Sequence, residues 1–493
     1  MKWNKLIIAI FVIFICFICS IYKVNASDMY QRDEIQVIGA QVRSVGNAGI
    51  RFVASVGEYD ISDIKTYGII LAYGETEEEI YIDSVVNNKE VFICETDSVD
   101  DNGYYYVTLY DIPSTQYNIN VSVRAYVKDI DGNIIYGAPH IARSLDEVVV
   151  KAYQDNDRSE FVCNVYKLIE ELTKVDLVYE ETIVVGYNGS REIIVIPENT
   201  TSIDVSSFEG CETLQMVVLS NGLKDIQCDA FANCESLKYV KIPASLENIY
   251  DHAFINCINL EKVEFEEGLK LIDSYAFAYC VSLKEVKIPN SVEYIGCGVF
   301  ESCTNLESVI LPFVGEQIDE RGTIHFGHIF GASNYDVNGE YVPKSLKNVI
   351  ISGGKTESIA IYSYAFKGCS SILKVELPLN LEGIGEGAFY MCSSLESLTI
   401  PFVGSDKYGY INTTFPYIFK AKNCIDWNTN FSEYVPLSLK TVIITGETKI
   451  ANSSFTYCEN IETIVVREGK EIVEPYAFSL CSAKIIYGDN IEE

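Results

Sequence analysis

The residue types best suited to chemistry are unevenly supplied. Only four histidines occur in 493 residues, so a multi-histidine metal centre or an imidazole relay starts with little material. His325 and His328 bracket Phe326-Gly327 and have the spacing of a metal pair. The chain carries a second copy of this stretch, however, and there the aligned residues are Thr414 and Tyr417, so neither histidine is assigned a ligand role. His252 precedes an Ala-Phe pair at a position held elsewhere by Asp229, Tyr275, Tyr364 or Tyr476, and no histidine has a triad context. Carboxylates abound, with 70 Asp+Glu against 37 Lys+Arg. Glycoside cleavage needs two of them at a fixed separation across a cleft, and spacing along the chain nominates no pair. Asp129-Ile130-Asp131-Gly132-Asn133 has the residue types of a calcium loop. Its Asp-Gly fits a hairpin turn between apolar strands better, and position 12 of a helix-loop-helix calcium loop would be His140. The sequence therefore calls for no enzymatic activity, metal or cofactor. A formal net charge of −33 repels phosphate backbones and excludes nucleic acid as a partner.

The elements that would position a site come from an internal repeat. Phenylalanine recurs at 208, 231, 254, 277 and 300, at 366 and 389, and at 455 and 478, always 23 residues apart within a group. Both gaps between groups are 66 residues, one repeat plus 43. The pattern is AFxxCxxLxxVxIPxxLxxIxxxAF, as in Ala230-Phe231 through Cys234, Leu237, Val240 and Ile242-Pro243 to Leu246 and Ile249. Its Leu-x-x-Val-x-Ile segment alternates as a short strand does, and proline stops the ladder because it lacks an N–H. One coil cannot bury its apolar stripe; a stack of coils about 4.8 Å apart can.

Cysteine follows each of these nine phenylalanines by three residues, from Cys211 to Cys481. Nine is odd, and parallel side chains in a stack are poorly aimed at one another, so buried thiols are expected in place of disulfides or a metal ladder.

The repeat closely resembles the BspA-like leucine-rich repeats of bacterial and protist surface proteins, in its period, its AFxxC signature and the Ile-Pro after the strand. The resemblance covers about residues 180 to 490. It implies a solenoid with a row of parallel strands, and its members are regarded as adhesins and interaction proteins.

Before the repeat, residues 27–150 show short alternating runs such as Ala48 to Ala54, Tyr67 to Tyr73, Gly103 to Leu109 and Asn120 to Val127, the pattern of an antiparallel β-sandwich. The phrases Gly39-Ala40-Gln41-Val42-Arg43 and Val123-Arg124-Ala125-Tyr126-Val127 resemble a domain that often precedes such repeats in secreted Gram-positive proteins. Helical spacing at Phe161, Val165, Leu168 and Leu172 predicts a linker or capping helix within 151–180. The expected fold is thus mainly β, a sandwich-like domain followed by an α/β-type leucine-rich repeat solenoid over 181–493.

Residues 1–26 read as a signal peptide. Lys2 and Lys5 precede an apolar run from Leu6 to Cys19, and Val24-Asn25-Ala26 supplies a cleavage site. The alternative, an uncleaved membrane anchor, would have fourteen apolar residues where about 20 span a bilayer.

Two insertions, at about 312–344 and 401–437, repeat one another: Pro312-Phe313-Val314-Gly315 returns as Pro401-Phe402-Val403-Gly404. They are rich in aromatics, which would either form contacts, with Tyr408, Tyr410, Tyr417 and Trp427 as candidates, or pack the insertion onto the solenoid. The solenoid is expected to tolerate loss of 403–433, because each coil touches only its neighbours. The outward positions of the strand row are the favoured binding face, with Tyr239, Lys241, Lys262, Glu264, Glu285, Lys287, Lys374 and Glu376 as candidates. The expected function is a secreted or cell-surface, adhesin-like protein that binds a protein or glycan on a host, matrix or neighbouring cell. The alternative is a glycan-binding or glycan-processing secreted protein.

Overall fold

A computed structural model describes residues 35–43, 49–57, 59, 61–73, 85–86, 89–100, 102–110, 121–141, 148–150, 152, 160–317, 323–356, 358–409, 412–420, 435–446, 448–456 and 458–488. The signal peptide expected over 1–26 lies outside them, as do Tyr410 and Trp427. The chain divides into two compact units, residues 1–167 and 168–493.

Among its described residues the first unit holds seven longer strands: β1 (Gln36–Arg43), β2 (Gly49–Ser55), β3 (Ile64–Tyr73), β4 (Phe92–Thr96), β5 (Tyr104–Tyr110), β6 (Val121–Asp129) and β7 (Ile134–Ile141). They form two antiparallel sheets in the orders β1-β2-β5 and β4-β3-β6-β7. Tyr105, fully buried on β5, joins the sheets by donating to the carbonyls of Gly68 (3.2 Å) and Tyr126 (3.3 Å). Gly68 is required there, since a Cβ would stand 2.2 Å from the Tyr126 ring. The Asp129–Asn133 segment is a hairpin turn. Gly132 takes φ 89°, and the Asp129 carboxylate accepts from the Asn133 amide at 2.7 Å.

The second unit begins within helix α1 (Glu160–Asp176). Its inward face is Val165, Ile169 and Thr173, whereas Leu168, expected to face inward, is exposed. The correction has a polar cause. The Thr173 hydroxyl donates to the Ile169 carbonyl at 2.8 Å and accepts the Val195 amide at 3.3 Å, so the cap over the first coil needs a threonine that apolar periodicity does not count.

Among the described residues twelve parallel strands, from Ile193–Val195 to Lys484–Tyr487, make the main row, hydrogen-bonded in ladders of four and eight. Equivalent residues stand in register: Val217 over Val240 over Val263, and Val309 over Val349 over Val375 over Leu398. After each standard strand the chain turns a corner built on the Ala-Phe pair. The phenylalanine rings stack at 4.8 Å (208–231), 5.0 Å (231–254) and 5.1 Å (254–277), within 8° of parallel. The corner phenylalanine amides from Phe208 to Phe455 donate to the next coil, as Phe231 does to the Ala253 carbonyl at 2.8 Å.

The insertions are not loops added to a coil. The row passes directly from Ser308–Leu311 to Asn348–Ile351 and from Ser397–Ile400 to Thr441–Ile444, so each insertion lies inside one long coil. Within it a 3-10 turn, Phe326–Phe330 or Phe415–Phe419, replaces the Ala-Phe corner. Phe326 stacks on Phe366 and Phe415 on Phe455, both at 4.8 Å, and the Ile329 and Ile418 carbonyls accept from Phe300 and Phe389. The stack of corners therefore continues through both insertions, by ring contact from Phe389 to Phe419 in the second and by the Phe300 backbone bond in the first.

The described cysteines are free thiols. Most of the column is fully buried, and S–H groups along it lie within reach of backbone oxygens: Cys257 of Phe231 (3.2 Å), Cys280 of Phe254 (3.3 Å) and Cys392 of Phe366 (3.1 Å). Burial pushes the Cys303 and Cys392 thiols up to about 12 and holds Cys369 well above the ordinary thiol range. Thiolate, the reactive form, is scarce at neutral pH. Native protein should accordingly react slowly with a thiol reagent, first at the half-buried Cys94, Cys211, Cys228, Cys297 and Cys481. Unfolding without reductant should release nearly all fourteen cysteines of residues 27–493. Several disulfides by mass spectrometry would overturn this.

Candidate functional site

The outward side chains of the main row alternate with the buried ones because successive residues of a strand point to opposite faces. Tyr239 and Lys241 on one strand face out beside Lys262 and Glu264 on the next, with Tyr239 opposite Lys262 and Lys241 opposite Glu264. These groups satisfy one another. The Tyr239 hydroxyl donates to Glu264 at 2.8 Å, Lys262 pairs with Glu264 at 2.5 Å and Lys241 with Glu266 at 3.0 Å. Lys374 and Glu376, side by side on one strand, pair at 2.7 Å. Glu285 and Lys287 are both exposed. Glu266 is a partner that strand alternation does not reveal, since it lies one residue past the end of its strand.

The shorter row formed by the second strand of each coil shows the same habit. Glu247 lies between Lys270 at 2.5 Å and Lys224 at 3.0 Å, and their ammonium groups hold its carboxyl down at about 2. Such exposed pairs add little stability in water, but charged side chains on strands discourage edge pairing. Farther along the main row most outward positions are uncharged, Ser308 and Ile310, Asn348 and Ile350, Ser397 and Thr399, Thr441 and Ile443, interrupted by the Lys374–Glu376 pair between Asn348 and Ser397. The face is thus ionic and self-neutralised over the strands from Tyr239 to Lys287, after two apolar and buried first strands, and mostly hydroxylated or aliphatic beyond them.

The insertion candidates separate. Tyr408 is exposed, with the Lys407 ammonium 5.1 Å from its ring centre, while Tyr417 packs against the core. Phe326, Phe330, Phe415 and Phe419 are buried rungs. A contact missed in the sequence is Lys420, whose ammonium lies 4.5 Å from the Tyr390 ring centre and 5.3 Å from that of Tyr364, tying the second insertion to the preceding coils. No spacing rule signals it, because Lys420 stands where the first insertion has Gly331.

An open hollow of about 490 Å³ at the last coil is lined by Lys470, Val473, Glu474, Tyr476, Phe478 and Tyr487, among others. Its one carboxylate, Glu474, is engaged by Lys449 and the Asn452 amide.

The profile of the BspA type leucine rich repeat region matches residues 187–321 and 341–483, in 6 copies. No curated protein matches the chain. Among solved structures, a leucine-rich repeat protein of Bacteroides ovatus is 27% identical, over 62% of this chain and 67% of that one, at a TM-score of 0.33. A leucine rich repeat protein of T. pallidum is 24% identical, over 45% of this chain and 88% of that one, at a TM-score of 0.30. A leucine rich cell surface protein of Faecalibacterium prausnitzii is 21% identical, over 64% and 92%, at a TM-score of 0.27.

Proposed function

The chain belongs to the BspA type leucine-rich repeat family, and on that premise we propose that it is a secreted or cell-surface protein that binds a protein of a host, a matrix or a neighbouring cell through its main strand row. One observation supports this most. The named outward positions carry four lysines against three glutamates in a chain of net charge −33, so this face escapes the repulsion that the rest of the surface exerts on an ordinary acidic protein. Glycan processing would need a pair of convergent carboxylates, and the hollow at the last coil supplies Glu474 alone. No helix among the described residues is long and apolar enough to cross a membrane, and export rests on the leader expected over residues 1–26.

The test begins with residues 27–493 on an array of matrix proteins and glycans. For whichever ligand is captured, the triple variant K241E/K262E/K287E should bind at least about tenfold more weakly at physiological salt, which is about 1.4 kcal/mol. Its melting temperature should change little, because it breaks exposed pairs only. Tyr408→Ala should bind as the parent does. Full affinity in the triple variant would remove the strand row as the binding face, and capture by glycans alone would remove the protein partner.

A further inference from the structure

The first insertion contains two buried histidines that the proposed binding role does not use. His325 and His328 are 4% and 6% exposed, with ring centres 6.1 Å apart and planes nearly perpendicular. The His325 Nδ1 lies 2.8 Å from the Asn338 Oδ1, which fixes the proton on Nδ1 because an amide oxygen can only accept. Asn338 is itself fully buried. It also accepts the Gly327 amide at 3.1 Å and donates to the Ala365 carbonyl at 2.9 Å. The Nε2 atoms of both histidines are buried without a hydrogen-bond partner. Neutral imidazoles tolerate this arrangement, since each then leaves only a lone pair unmatched. An imidazolium there would bury an N–H and a charge with no acceptor.

The charged group that faces His328 among the described residues is Glu316, from the segment that follows the strand. Its carboxylate is already taken by the Tyr294 hydroxyl at 3.1 Å and the Thr323 amide at 2.9 Å. No charged group among the described residues is recorded against His325, whose ring meets Asn338 and His328. Burial outweighs the attraction of Glu316, and both imidazoles are held below their ordinary value of 6.5.

These histidines sit in the turn that serves as a rung of the phenylalanine column. Besides the Phe326 stack on Phe366, the His328 carbonyl accepts from Gly298 at 2.9 Å and the Phe326 amide donates to Ala365 at 2.9 Å. We propose that the first insertion is an acid-sensitive joint: protonation of His325 and His328 unseats the Phe326–Phe330 turn, whereas the second insertion, with Thr414 and Tyr417 at the same places, stays seated. The sign follows from linkage. A group whose folded-state value is depressed takes up a proton when its site opens, so the stability it confers is present above about 6.5 and is lost as pH falls.

Hydrogen exchange on the full chain at pH 7.5 and pH 5.0, corrected for intrinsic rates, reads the joint directly. Amides of residues 323–346 should lose protection at least about tenfold at pH 5.0, while those of 412–420 and 435–446 should not. The variant H325T/H328Y carries the residues that the second insertion uses at these positions and should remove the difference. Equal protection of residues 323–346 at both pH values, or the same loss in the variant, overturns the joint. Should the variant not fold, the imidazole titrations followed by NMR in the parent protein decide: midpoints at or above 6.5 for both rings would refute the proposal.

Discussion

Phe277→Ala should lower the stability of the solenoid by about 3–5 kcal/mol, the range for truncating a buried phenylalanine. The side chain is fully buried, stacked between Phe254 at 5.1 Å and Phe300 at 6.0 Å, with the edge of Phe265 at 5.9 Å. The site cannot collapse to fill the void. Backbone bonds hold the corners on either side, from the Phe254 amide to the Ala276 carbonyl and from the Phe277 amide to the Val299 carbonyl. Because stability in a solenoid is a sum over adjacent coils, the cavity weakens two interfaces at once. Urea unfolding followed by circular dichroism reads the effect. Phe478→Ala should cost less, since that ring lies on the last coil and is only partly buried. A midpoint unchanged in Phe277→Ala would mean that the ring column does not carry the stack.

The repeat was legible because stacking imposes it. A residue that lies over its own copy must be buried in every coil if it is buried in one, so Val240, Phe231 and Cys234 announce themselves by recurring. Three other features obey no such rule. Each standard corner carries left-handed residues two before and two after the phenylalanine, yet these are Asp229 and Asn233 in one coil and Tyr275 and Tyr279 in another. Their conformation is imposed by backbone bonds on both sides, such as Asp229 to Asp251 and Asn233 to Ile255, so glycine marks only some of them, as at Gly210, Gly298, Gly368 and Gly387. The ion pairs of the outward face depend on side-chain reach, as Lys241 shows by choosing Glu266 over the Glu264 opposite it. The inserted rungs were hidden because a 3-10 turn omits the AFxxC signature. Their trace was the equal interval of 26 residues from Phe300 to Phe326 and from Phe389 to Phe415.

That last point reverses an expectation drawn from the repeat pattern. Deleting residues 403–433 should not leave a shortened but intact solenoid; the coils that follow should lose their fold. The segment contains Phe415, Ile418 and Phe419, all buried, and its turn closes the column between Phe389 and Phe455. Its backbone accepts from the Phe389 amide at 2.9 Å through Ile418 and donates to the Ser454 carbonyl at 2.8 Å through Phe415. Removing it leaves the strand Ser397–Ile400 paired to Thr441–Ile444 on one side and a missing layer of about 4.8 Å on the other, a wedge that parallel coils cannot absorb. Each lost phenylalanine accounts for about 3–5 kcal/mol, and the coils from Thr441 to Tyr487 have a neighbour on one side only to offset this. Hydrogen exchange should therefore show residues 441–487 unprotected in the deletion variant and residues 216–311 protected as in the parent. Retained protection across 441–487 would mean that the corner closes over the gap and that the insertion is, after all, a dispensable loop.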